Sequence, residues 1–85
     1  MDITYIEKYL DLKAKKSKVV NVHFKDRATV TGVFIIAKDY SEMKTKNFWR
    51  IVNVKNLQQW ERTKNIEFSR LFNGASFTRL SVSAQ

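Results

Sequence analysis

The stretch Lys18–Ala37, KVVNVHFKDRATVTGVFIIA, decides the fold. Its first half alternates. Val20, Val22 and Phe24 point one way while Asn21, His23 and Lys25 point the other, the period of a half-buried β-strand. Asp26-Arg27 supplies a turn. A second strand follows in ATVTGVFIIA, which alternates at first and is then apolar on both faces over Val33–Ala37. Such a strand is expected to be covered from both sides. Gly32 in its middle implies a strong bend, a bulge or a close backbone approach.

Working outward, DITYIEKYLDLKAKK ahead of this pair has Ile3, Ile6 and Leu10 at helical spacing, with Tyr5, Tyr9 and Leu12 beside them and a polar opposite face. The spacing predicts a helix within residues 1–17. Thr4-x-x-Glu7 has the form of a capping box, and Asp2 competes with it as the N-cap. Lys13, Lys15, Lys16 and Lys18 gather at the far end, where cations suit the helix dipole, and they form a candidate secondary basic patch. After the second strand, KDYSEMKTK reads as a polar connection. NFWRIVNV reads as a third strand, with Phe48, Arg50, Val52 and Val54 opposed to Trp49 and Ile51. KNLQQWERTKN is a long loop or a helical turn holding Trp60. IEFSRLF and ASFTRLSV form a closing hairpin about Asn73-Gly74, both turn residues at positive φ.

The expectation is one domain over residues 1–85, mostly β: an N-terminal helix, then five antiparallel strands over residues 18–82. Five short strands must curl strongly into a small barrel or sandwich to bury an apolar face.

Composition narrows the function. Sixteen basic residues against eight acidic give +8. Residues 1–42 carry +2 of this and residues 43–85 carry +6. A field of that sign draws polyanions, nucleic acid before anionic membrane, although net charge also serves solubility. The chain has no cysteine, so disulfides, thiol catalysis and Cys-based metal sites are excluded. That is compatible with a reducing compartment, and a cytoplasmic location is the expectation. No secretory leader and no membrane span are read anywhere in the chain.

Catalysis has little to work with. His23 is the only histidine, and no phosphate-binding glycine loop, nucleophile motif or cofactor motif is present. The expectation is a protein that is not an enzyme and uses no cofactor. Nucleic-acid binding needs cations for phosphates and flat rings for bases. DYSEMKTKNFWR supplies Tyr40, Lys44, Lys46, Trp49 and Arg50 in a short span. At least one of Phe48 and Trp49 is expected in the core, which leaves Tyr40 as the stacking candidate. Arg70, Asn73 and Arg79 cluster about the last turn, where the arginines either face a ligand at one rim or pair with Glu67.

The helix followed by V-x-V-x-F-K-D-R-A-T-V-T-G-V-F resembles the first half of the Sm-like family of small β-barrels, which includes the bacterial RNA chaperone Hfq. Val20, Val22, Phe24, Asp26 and Gly32 fall on that pattern. Asp39, Tyr40 and Met43 match the family's next element, and Gly74, Phe77 and Leu80 match its second motif. Two positions depart from the family: Met43-Lys44 stands where many members have Met-Asn, and Asn73 stands where they have arginine. The resemblance implies a cyclic homo-oligomer that binds single-stranded RNA without catalysis. The alternative reading is an SH3-like structural or adaptor module that binds a protein partner.

Overall fold

The computed structural model describes residues 1–12 and 18–83. Helix α1 spans Ile3–Leu12. Between the two candidate caps, Asp2 is the one used: its Oδ1 accepts from the Tyr5 backbone N–H at 2.8 Å. Ile6 is the fully buried residue of the helix, and Ile3, Tyr9 and Leu10 pack around it against the sheet. Lys13, Lys15 and Lys16 lie outside the described residues.

The strands are β1 (Val20–Phe24), β2 (Val30–Phe34), β3 (Phe48–Asn53), β4 (Ser69–Asn73) and β5 (Phe77–Val82). All neighbours are antiparallel, in the order β4-β3-β2-β1-β5. The protein is thus a mostly β chain with an N-terminal helix and a five-stranded sheet. The β1–β2 connection is the five-residue stretch 25–29 rather than a tight Asp26-Arg27 turn, because Val22 pairs with Val30 and sets the register.

The closing hairpin is not formed. β4 pairs with β3 and β5 pairs with β1, so the two strands around Asn73-Gly74 lie on opposite edges of the sheet. Neither turn residue has positive φ: Asn73 sits at φ −80°, and no glycine is left-handed. A single 3-10 turn, Gly74–Ser76, joins the two edges, and the Asn73 side chain caps it by accepting from Ala75 N at 2.9 Å. A two-residue hairpin would have paired β4 with β5. Phe72 and Phe77 instead both turn toward Phe24, with ring centroids 5.5 and 5.2 Å away, and the burial of that aromatic cluster outweighs the local turn preference.

Two hydrophobic clusters cover β2. One holds Ile6, Val20, Val22, Val30, Trp49, Ile51, Phe72, Phe77 and Leu80, with Phe34 packed against it. The other holds Val33, Ile35 and Val52, capped by Leu57 and Trp60. β2 is therefore covered from both sides as its composition requires, but only through Ile35; Ile36 is 80% exposed. At Gly32 a Cβ would strike the Val52 carbonyl oxygen, and would stand 2.9 Å from its carbon. The glycine marks a close backbone approach, one of the readings open from sequence.

Two helices arise where the sequence showed polar segments. α2 is Tyr40–Thr45 and α3 is Leu57–Thr63. The second is the helical turn around Trp60, placing that ring on the smaller cluster. Residues Ile66–Phe68 form a 3-10 turn and not strand, so β4 starts only at Ser69. No helix among the described residues is long and apolar enough to cross a membrane.

Candidate nucleic-acid interface

The segment around α2 holds most of the residues singled out for RNA, and the fold uses them to dock the helix. Tyr40 does not stand free in a loop. It is half-buried, edge-on to Trp49 with ring centroids 6.1 Å apart, and burial raises the pKa of its phenol. Lys44 Nζ lies 2.6 Å from Glu7 Oε2 on α1 and 5.4 Å from the centre of the Tyr40 ring. The hydrogen bond to Glu7 raises its pKa. Lys46 pairs loosely with Glu42 at 3.8 Å on the exposed side of α2.

Arg50, on β3, takes the Asp39 carboxylate in a fork. Its Nε lies 3.1 and 3.2 Å from the two oxygens and its Nη2 lies 2.8 Å from Oδ2. The remaining guanidinium nitrogen donates to Ser69 Oγ at 3.3 Å, and that hydroxyl donates on to the Ile66 carbonyl at 2.6 Å. The chain from Asp39 to Ile66 ties the start of α2 to the entry of β4. Arg50 lowers the Asp39 pKa, chiefly through the hydrogen bond. A depressed carboxylate stabilises the fold at every pH above its unfolded value, near 3.8, and loses that contribution as pH falls through its folded value. The thermal midpoint of Asp39→Asn is therefore expected to fall below the parent's above pH 5, with the gap closing toward pH 2. A gap that is constant over this range would mean the ion pair contributes nothing.

Arg70 and Asn73 are exposed on β4, and Arg79 is exposed on β5. Arg70 stands on β4 opposite Ile51, Arg79 stands on β5 opposite His23, and Asn73 is spent on its 3-10 turn. Among the described residues there are three ion pairs, and neither arginine pairs with Glu67. Lys18 is exposed just before β1.

A second arrangement needs the register and was not visible in sequence. β5, β1 and β2 lie side by side, and two cross-strand rows run over them. One row pairs Arg79 on β5 with His23 on β1 and is continued by Thr29, the last residue of the β1–β2 connection, whose Oγ1 lies 3.2 Å from His23 Nδ1. The other is Ser81, Asn21 and Thr31, with Thr31 Oγ1 donating to Asn21 Oδ1 at 2.8 Å. Asn21 and His23 were already assigned to one face by alternation; their neighbours on β2 and β5 come only from pairing. Neither row contains an acid. Arg27 covers the aromatic cluster, its guanidinium carbon 5.4 Å from the Phe24 ring centre and 5.0 Å from that of Phe72.

No protein-family model, curated protein or solved structure matches this chain.

The chemistry available is therefore that of the residues themselves. Among the described residues no three histidines, aspartates or glutamates are grouped to hold a metal ion. What this sheet face offers is Arg79, which has no ion-pair partner among the described residues, with hydroxyls, an amide and an imidazole. Such groups donate to phosphate oxygens and to base or ribose edges.

Proposed function

We propose that this chain is a non-catalytic, single-strand RNA-binding protein on a strongly bent, Sm-like small barrel, assembled as a cyclic homo-oligomer. The bend is supported by the link between the sheet edges: three residues join β4 to β5, although three other strands lie between them in the sheet. A 3-10 turn advances about 2 Å per residue, so the ends of the two edge strands must come close together. Assembly is supported by those same edges, whose outer sides have no partner strand among the described residues. Sedimentation showing only a 10 kDa species at tens of micromolar would overturn the ring.

The observation that carries RNA binding is the acid-free pair of rows on β5, β1 and β2, with Arg79 exposed at its edge on a chain of net charge +8. The phosphate contacts move with it, away from Lys44, which is engaged by Glu7, to Arg79 and Lys25. Arg79→Gln with Lys25→Gln is expected to weaken binding to any single strand and to make the salt slope shallower by about 0.7 for each phosphate that is no longer neutralised. Lys44→Gln is expected to leave that slope unchanged. Filter binding at several salt concentrations checks both, and the opposite pattern would return the site to the α2 segment. An SH3-like adaptor is the second reading, favoured by the exposed Leu71 and Val82 on the two edge strands. It takes over if the parent binds no RNA at low salt.

A further inference from the structure

A groove of about 780 Å³ opens between the β2–α2 connection and the segment that follows α3. It lies apart from the polar rows on β5, β1 and β2. Its apolar lining is Ile36, Ala37, Trp60 and Ile66, and Lys38 and Lys64 stand with them in the lining. Ile36 and Ile66 are among the most exposed large hydrophobic residues of the protein. Trp60 is only half-buried, because its other contacts are with the small cluster beneath α3. Lys64 stands at a left-handed position, φ 55°, at the end of α3, and its Nζ lies 5.3 Å from the centre of the Trp60 ring. Asp39 also borders the groove, but its carboxylate is held in the Arg50 fork.

We infer that this groove holds one nucleotide of a bound single strand, the base stacked on Trp60 and the phosphate met by Lys38 and Lys64. The inference rests on the RNA-binding reading above and adds a base-binding subsite to it. The volume is in the range of small-ligand pockets. A flat indole beside two ammonium groups matches the two halves of a nucleotide, an aromatic plane and an anion. The lysine now over the indole is a cation that an incoming base can displace, leaving it free to meet the phosphate. The two acids nearest in sequence on α3 and the following turn, Glu61 and Glu67, do not line the groove.

Tryptophan fluorescence separates this subsite from the rest of the surface. Trp49 is 2% exposed and its ring N–H is hydrogen-bonded, so a quencher at the surface reaches Trp60. Titration with adenosine or uridine monophosphate, and with a short oligoribonucleotide, is expected to quench the parent saturably. Trp60→Phe, which keeps a packed ring, is expected to lose that quenching. Lys38→Gln with Lys64→Gln is expected to weaken the oligonucleotide about tenfold. Ile36→Asp, at a position too exposed to be needed for folding, is expected to weaken it as well. An oligonucleotide that binds by anisotropy, without quenching Trp60 and without sensitivity to these variants, overturns the subsite and leaves the RNA reading standing. An oligonucleotide that does not bind at low salt overturns both. A leucine- and glutamate-rich peptide that saturates the Trp60 signal where nucleotides do not overturns the subsite in favour of protein docking.

Discussion

Gly74→Val is expected to cost about 3 kcal/mol and to lower the thermal midpoint by roughly 12–24 °C. The reason is space. Gly74 is buried in the turn between the two edge strands, and its own amide donates to the Asn47 carbonyl at 2.7 Å. The amino terminus closes over it, Met1 N lying 3.2 Å from its carbonyl oxygen. A Cβ there would strike Asn47 Oδ1 and would stand 2.7 Å from Ile6 Cδ1 and 2.8 Å from Trp49 Nε1. Ile6 can move its terminal methyl aside. Asn47 and Trp49 cannot yield easily, because they are hydrogen-bonded to each other. The order of variants identifies the cause. If crowding is responsible, Gly74→Asn is worse than Gly74→Ala. If position 74 needed positive φ, asparagine would be the milder change. Thermal unfolding of the three variants decides between them.

The same residue shows where sequence reading stops. Asn-Gly between apolar runs carries a strong local signal for a two-residue turn. Here the glycine is needed for a different reason, its lack of a Cβ against residues 68 and 25 positions away in the chain, Ile6 and Trp49. Local preference cannot report a contact of that kind. Strand β1 was legible because it has one face on the core and one outside, so that alternation survives in Val20–Phe24; β3 was legible from its apolar and aromatic run, although Trp49 and Ile51 enter one cluster and Val52 the other. Gly32 was legible for a similar reason: in the middle of a strand there are few other uses for it. α2 was not, since a six-residue helix with no fully buried residue has no periodic stripe to show. Its short length also explains why Tyr40 and Lys44 read as part of a polar loop, with Arg50 on the strand that follows. Their partners Glu7, Trp49 and Asp39 are supplied by α1, β3 and the α2 entry, and only the fold brings them together. Of the candidate site, one residue of each polar row, His23 or Asn21, could be read from the alternation of β1. The rest required the register with β2 and β5.

Asn47→Ala is expected to cost about 2–4 kcal/mol, although no sequence pattern marks this position. Asn47 sits between α2 and β3 with φ 62°, in the left-handed region where asparagine is tolerated and alanine costs about 1 kcal/mol. Its side-chain oxygen accepts from Trp49 Nε1 at 2.8 Å, and its side-chain nitrogen donates to the Met1 carbonyl at 3.1 Å. One residue thus holds the amino terminus, the turn at Gly74 and the largest buried side chain. Removing the amide strands the indole N–H in the core, at about 1–3 kcal/mol for a buried donor left unpaired. The components separate experimentally. Asn47→Gly relieves the backbone without restoring either side-chain hydrogen bond, so it should recover about 1 kcal/mol relative to alanine. Asn47→Asp retains an acceptor for the indole and loses the donor to Met1, so it should lie between parent and alanine. In a Trp49→Phe background, where no indole N–H remains to strand, Asn47→Ala should cost measurably less than in the parent. If chemical denaturation gives the same cost in both backgrounds, the hydrogen bond to Trp49 is not what holds the junction, and the left-handed backbone and the tie to Met1 carry it.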